Sequence, residues 1–238
     1  MTGTAGYKGL DVSFERRFKD GYSYRASYTV GEARDQAPEH LNAASGRPQN
    51  GRDLESWEGP SDFDIRHRVS ANVIAELPFG EGKPWLKDGF GRHVLGGWLV
   101  SGILSARTGR PFTVTQGNNN VGTGHTGLPN LTGDPEGAKT VEQWYNPAAF
   151  TRVTSGTFGN AGRNILRGPG WFSVDMSLQR RINVTSRFNA TLRWDIFNVF
   201  NRANFGLPDT NIVNATAGTI SSLGGDPRVM QLSIRLAF

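Results

Sequence analysis

The sequence contains no cysteine and no long apolar run. The missing cysteine excludes a disulfide framework, a thiolate nucleophile and a cysteine-based metal site. A membrane-spanning helix needs about 18 or more consecutive apolar residues, whereas the best run, 94–106, is interrupted by Gly96, Gly97, Ser101 and Gly102. Spanning strands need no such run, because only alternate residues face lipid. The sequence therefore excludes a membrane helix but not a membrane β-barrel.

A clustered basic surface is also lacking, although the net charge is +5. The Lys and Arg residues are scattered, whereas a nucleic-acid-binding face needs concentrated positive charge. Histidine is equally dispersed, and the positions of His40, His67, His93 and His125 show no metal-ligand spacing. We therefore expect no nucleic-acid partner, no metal site and no other cofactor.

What the sequence does contain is alternation of apolar and polar residues, which predicts strands with one apolar face. The segments with this pattern are 10–17, 22–30, about 63–77, about 94–107, 172–179, 187–196 and 230–238. Lys19-Asp20-Gly21 separates the first two segments, and Asp-Gly is a strong signal for a hairpin turn. We therefore predict an all-β protein, an antiparallel meander of about seven long strands.

The connections between these segments alternate in length. The long ones cover 31–62, 108–170 and 199–226, and the short ones cover 19–21, 78–93 and 180–185. Outer-membrane barrels have short periplasmic turns and long outer loops, and a soluble sandwich has no reason to place every long loop at one end. The alternation therefore favours a membrane barrel.

Aromatic residues near the segment ends and a helix-capping motif in one loop are two further features. Several aromatic residues lie near segment ends, as an interfacial girdle would: Tyr7, Tyr22, Tyr28, Trp98, Trp171, Phe172 and Phe238. Thr140-Val141-Glu142-Gln143 has the form of a capping box, which predicts a short helix limited by Pro147.

Local motifs indicate no catalysis. GTGHTG at 122–127 matches a dinucleotide-binding pattern, but Leu128-Pro129-Asn130 follows where that fold requires a helix. No serine lies in a nucleophile elbow. GNAGRNILRGPG at 159–170 carries Arg163 and Arg167, which could contact a ligand, although a turn-rich entry to a strand is the simpler interpretation. We therefore expect no enzyme activity and no catalytic residues.

Several stretches resemble the C-terminal barrel of Oar-like TonB-dependent receptors, a family common in acidobacteria. They are GLDVSFERRFKDGYSYRASYT at 9–29, DIRHRVSANVIAELPFG at 64–80, GGWLVSGILSARTGRPFTV at 96–114, QWYNPAAF at 143–150, GNAGRNILRGPGWFSVDMSL at 159–178 and FNVFNRANFG at 197–206. The final residues also resemble the C-terminal signal read by the bacterial barrel-assembly machinery. They are Met230, Leu232, Ile234, Leu236 and Phe238.

The resemblance implies an outer-membrane location, a barrel of about 22 strands with a plugged lumen, and energised uptake of an unidentified ligand. It also implies outer-membrane lipid, the barrel-assembly machinery and TonB as partners. A plug domain, a TonB-contacting segment and a signal peptide have no counterpart in this sequence. We therefore expect residues 1–238 to be the C-terminal part of a receptor barrel, an open segment that lacks the plug and the earlier strands.

Two other functions fit the alternating pattern. A soluble β-sandwich, such as a carbohydrate-binding module, would pack the apolar faces of two sheets against each other. A surface-anchoring adhesive barrel would have the same strands but would use its outer loops only for attachment.

Overall fold

The fold is a single large antiparallel sheet with folded loops at one end. The computed structural model describes residues 3–36, 48–117, 127–183, 185 and 188–238. The long strands are β1 (Ala5–Lys19), β2 (Tyr22–Asp35), β3 (His67–Glu76), β4 (Trp98–Arg107), β5 (Trp171–Asn183), β6 (Asn189–Phe197) and β7 (Val229–Ala237). Each pairs with its neighbours in chain order, which confirms the predicted meander. Among the described residues, β1 and β7 do not pair with each other, so the sheet is open.

Short elements occupy the connections. The two-residue strands are Gly59–Pro60, Pro111–Phe112, Asn130–Leu131, Phe150–Thr151 and Leu166–Arg167, and the 3-10 helices are Glu55–Trp57 and Pro147–Ala149. An α-helix, α1, spans Gly89–Leu95. This helix corrects the expected start of the fourth strand near residue 94, because Val94 and Leu95 belong to α1 and β4 begins at Trp98.

The β1–β2 hairpin closes as predicted at Asp20 and Gly21, whose φ angles are 56° and 87°. A two-residue turn of this hand requires positive φ at both positions, and Asp-Gly tolerates it. The paired strands extend further than the alternating pattern, because the pairing continues to Ala5 and Asp35 through a glycine-rich stretch.

The capping-box prediction is wrong. The Thr140 hydroxyl does accept a hydrogen bond from the Gln143 amide at 3.1 Å, but residues 141–146 form no helix. The carbonyl of Val141 instead accepts from the Ile220 amide at 2.8 Å. A contact with a distant segment thus takes the carbonyl that a helix would have used.

The hydrophobic core lies in the loops rather than beneath the sheet. It consists of Phe112, Val114, Tyr145, Ala149, Phe150, Ala161 and Leu166, with Leu131, Trp144 and Ile212 packed against it. All three long connections meet around it: Gln49 donates to the Gly159 carbonyl at 2.7 Å, and the Thr115 amide donates to the Thr210 carbonyl at 2.8 Å. The long loops therefore gather at one end of the sheet, as predicted. Ala237 pairs with Asn189 at the other end, beside the short β5–β6 turn.

Candidate functional site

One face of the sheet carries the apolar residues, and the register aligns them from strand to strand. One row runs through Val12, Tyr28, Val69, Ala106 and Phe172. Exposure on this face is high and reaches 67% for Leu232. Soluble monomers rarely expose a continuous apolar patch of more than a few hundred Å². The described residues include no second sheet packed on this face, so the soluble-sandwich alternative is wrong.

Two arginines lie on the apolar face at its short-turn end, each beside an aromatic ring. The Arg16 guanidinium lies 4.0 Å from the centre of the Tyr22 ring, and that of Arg180 lies 5.9 Å from the Trp98 ring. Arg180 also donates to the Val94 carbonyl at 3.1 Å, at the C-terminal end of α1. Arginine beside an aromatic ring suits a membrane–water boundary, because the stem lies on apolar surface while the charge reaches water.

The register places only part of the predicted aromatic girdle on the apolar face. Tyr7 and Trp171 do not lie on the apolar face, because their cross-strand partners, Ala33 and Arg107, belong to the polar rows. The Tyr7 ring instead lies over Gly9 and Gly31, where an added Cβ would be 2.4 Å and 2.6 Å from its hydroxyl. A position near a strand end does not determine the face; only the register does.

The predicted assembly residues occupy one face of β7. Met230, Leu232, Ile234 and Leu236 are all more than half exposed, and Phe238 is fully exposed after the strand ends. Their partners in β6 are apolar as well: Leu232 lies opposite Trp194, and Ile234 lies opposite Leu192. Four of the five residues thus share one face of β7, and recognition of the five by the assembly machinery stays a prediction.

The opposite face of the sheet is polar. Arg25 pairs with Glu15 at 3.2 Å, and Arg193 pairs with Asp195 at 2.9 Å. A row of serines crosses the first five strands: Ser13, Ser27, Ser70, Ser105 and Ser173. Ile74 and Ile103 interrupt this face and are 42% and 54% exposed. One apolar and one polar face on a single sheet is the division between lipid and lumen in a membrane barrel.

Two ion pairs, one buried and one partly buried, fasten the loops to the strand ends. Arg163 forms an ion pair with Asp35 at the end of β2, and its side chain is 2% exposed. Arg167 forms an ion pair with Asp64, whose other oxygen accepts from the Ala33 amide at 2.7 Å. Both arginines thus have carboxylate partners within the protein, and their contact with a ligand stays a prediction. Asp35 and Asp64 were not predicted as their partners, because the ion pairs join residues more than 100 positions apart.

Tyr145 lies at the centre of the loop core. Its side chain is fully buried, and its hydroxyl donates to the Asp209 carbonyl at 3.1 Å. Burial, together with the nearby Asp209 carboxylate, raises the pKa of the Tyr145 phenol. Burial opposes ionisation of Asp209, but hydrogen bonds from Thr216, the Asn211 amide and Asn214 outweigh it and lower the pKa of that carboxyl. At neutral pH the Tyr145 phenol is therefore neutral and the Asp209 carboxyl is ionised.

The histidines and remaining loop motifs form no recognised site within the described residues. No group of three or more potential metal ligands occurs in the described part of the chain. His67 contacts the Tyr28 hydroxyl through Nδ1 at 2.8 Å. His40, His125 and most of the GTGHTG motif lie outside the described residues. Within the described ranges, no helix has the length and hydropathy needed to cross a membrane.

The comparison with protein-family models agrees with this geometry. The model described as "Outer membrane beta barrel domain" matches residues 1–231. A search of curated proteins finds no match. The family match covers almost the whole chain, and it assigns an outer-membrane location to a sheet with one apolar and one polar face. The chain therefore belongs to the outer membrane beta barrel domain family and is an outer-membrane protein.

Proposed function

We propose that the chain forms part of the wall of an Oar-like TonB-dependent transporter, which takes up an unidentified ligand through the outer membrane. One observation carries the proposal: the motifs that resemble this receptor family supply residues that hold the described parts of the three long connections together around their apolar core, an assembly called the loop cluster below. Tyr145 and Phe150 of QWYNPAAF lie in the loop core, and Arg163 and Arg167 of the glycine-rich motif form its ion pairs. Asp64, the first residue of DIRHR, is the carboxylate partner of Arg167.

The polar face is the second support. Its ion pairs and serines face away from the lipid side, as a water-filled or plugged lumen requires. In this proposal the apolar face contacts outer-membrane lipid, and β7 presents Phe238 and its apolar row to the barrel-assembly machinery. TonB supplies energy by contacting parts of the protein other than these strands. The proposal includes no catalytic step.

Solute depletion tests the proposal while the ligand is still unidentified. Cells with and without the intact gene, each in TonB-positive and TonB-deficient backgrounds, would be grown in complex medium, and medium components would be quantified by mass spectrometry. At least one solute should be depleted faster only when both the gene and TonB are present. Equal depletion without TonB would contradict energised transport.

A surface-anchoring adhesive barrel is the second candidate, and the loop cluster favours it. The loop cluster has its own apolar core. It therefore presents a fixed surface to which cells could attach. Attachment of cells to abiotic and cellular surfaces, measured in the same four strains, separates the two functions. Adhesion that depends on the gene but not on TonB, with unchanged solute depletion, would favour the adhesive barrel.

A further inference from the structure

Two arginines lie opposite each other on the polar face near the long-loop end of the sheet, and a third follows just after the strand. Arg68 in β3 is directly opposite Arg107 in β4, and Arg110 follows β4 closely enough to repel Arg107 electrostatically. Directly opposed residues have Cβ atoms about 4.5–5.5 Å apart, and like charges at that separation destabilise a sheet. The positive charges of Arg68, Arg107 and Arg110, called the arginine cluster below, therefore repel one another.

The arginine cluster differs in its partners from five other arginines of the sheet and loops. Arg16, Arg25, Arg163, Arg167 and Arg193 all pair with carboxylates. In the described part of the chain, the side chains of Arg68, Arg107 and Arg110 make no ion pair and no hydrogen bond; the Arg107 guanidinium lies 5.5 Å from the centre of the Trp171 ring.

The closest acid in the same cross-strand row is Asp11. It lies two strands from Arg68, and its carboxylate accepts a hydrogen bond from the Thr29 hydroxyl at 2.6 Å. No acidic residue of that row therefore lies beside the arginine cluster to balance its positive charge.

A cavity opens beside the arginine cluster. Its volume is about 330 Å³, and its lining includes Arg107, Arg110, Trp171, Phe205 and Leu207. Phe205 and Leu207 are 37% and 45% exposed, so apolar side chains are available to a ligand. A volume of this size suits a small molecule. Guanidinium groups bind carboxylate or phosphate oxygens in a fork, and aromatic rings stack on ring-shaped bodies.

We infer that the arginine cluster and this cavity bind a soluble, ring-bearing organic anion, with the anionic group on the guanidiniums and the ring against Trp171. A lipid headgroup is not the occupant, because the row of Arg68, Arg107 and Trp171 faces opposite to the apolar row of Val69, Ala106 and Phe172. The inference rests on the proposed function and narrows it, since it gives the chemical class of the transported solute.

Equilibrium binding of labelled phenyl phosphate to outer membranes from cells that express the protein tests the site. Membranes from cells without the gene give the background, and binding is normalised to the amount of protein in the membrane. Phenyl phosphate should bind saturably, inorganic phosphate should compete more weakly, and phenyltrimethylammonium should not compete. Added lipopolysaccharide should not displace the probe; displacement would identify a glycolipid site and overturn the assignment to a soluble anion.

Substitutions locate the binding. Arg107→Gln and Arg110→Gln should each weaken binding of phenyl phosphate by at least about tenfold, because each removes a hydrogen bond between charged groups. Arg110 follows the strand and is exposed, so its substitution leaves the sheet intact. Arg235→Gln is the matched control: it removes the same charge from the polar face at β7, opposite Thr191, and should bind normally.

Equal binding by wild type and Arg110→Gln, or equal weakening by Arg235→Gln, would overturn the site. So would absence of saturable phenyl phosphate binding to membranes that contain the protein. Such a result would leave the transport proposal standing, because that proposal depends on solute depletion with TonB and not on this probe. Normal probe binding without TonB-dependent solute depletion would support the binding site and contradict the transport proposal.

Discussion

Arg163 and Asp35 form an ion pair across 128 positions of the chain, and their side chains are only 2% and 9% exposed. The same guanidinium donates to the Asp35 carbonyl at 2.8 Å and to the Gly59 carbonyl at 3.3 Å. One side chain in the second long connection thus fastens the end of β2 and the first long connection together. The loop cluster therefore depends on a residue whose partners are far away in sequence.

We expect Asp35→Asn to destabilise the loop cluster by up to about 3–5 kcal/mol, because it leaves the buried Arg163 guanidinium with only the more distant carboxylate of Asp62, at 3.6 Å. Hydrogen-exchange mass spectrometry of the protein in outer membranes should show faster exchange in peptides that cover 143–150, while strand peptides keep their protection.

The matched control for this pair is Glu58→Gln. Glu58 pairs with Arg34, the neighbour of Asp35 in sequence, but both side chains of that pair are about half exposed. Exposed pairs contribute about 0–1 kcal/mol, so exchange should stay close to wild type. Equal effects of the two substitutions would show that burial of the Arg163–Asp35 pair does not matter.

Charge should be tolerated on one face of β7 and not on the other. Leu232→Arg places a charge on the apolar face and should cost about 2–4 kcal/mol near the bilayer midplane. Gln231→Arg changes the adjacent position, which faces Asp195 on the polar side, and should cost much less. Urea unfolding in lipid vesicles measures both. Similar costs would mean that both faces meet the same environment.

Alkaline pH should weaken the loop cluster through Tyr145. Burial raises the pKa of its phenol in the folded protein, whereas an unfolded tyrosine ionises near pH 10. The stabilisation from keeping the phenol neutral is therefore complete below about pH 10 and is lost as the pH rises towards the folded pKa. Tyr145→Phe should start about 0.5–1.5 kcal/mol lower through loss of the hydrogen bond to Asp209, yet lose less stability above pH 10.

Hydrogen exchange of 143–150 as a function of pH measures this effect. The control is Tyr7→Phe, because Tyr7 is 65% exposed and lies on β1, away from the loop core. It should keep the wild-type alkaline loss. An unchanged alkaline loss in Tyr145→Phe would assign the effect to another group.

The strands and their order could be predicted because both depend on local sequence. Alternation gives the faces, and turn residues such as Asp20-Gly21 fix the first hairpin. The α-helix at Gly89–Leu95 was not predicted, because a seven-residue helix within a short connection has too few turns to show a period.

The loop cluster could not be predicted from local pattern at all. Its apolar core combines Phe112, Tyr145 and Leu166 from three separate stretches, and no periodic signal connects them. The arginine cluster was missed for a similar reason. Arg68 and Arg107 become neighbours only through the register of β3 and β4, and sequence reasoning selected Arg163 and Arg167 because both lie in a glycine-rich motif.

Deletion of Phe238 should reduce assembly into the outer membrane more than it reduces intrinsic stability. The side chain is fully exposed, so its removal takes away no packing within the described residues. It continues the apolar row of Leu232, Ile234 and Leu236 along β7, which resembles a recognition signal. The amount of protein in purified outer membranes should therefore fall, whereas urea unfolding of protein refolded in lipid vesicles should stay near wild type.

Phe90→Ser is the control, because Phe90 is 83% exposed on α1 and lies outside the row. Normal membrane levels after deletion of Phe238 would show that assembly does not depend on it, and equal losses in both measurements would indicate a stability role instead.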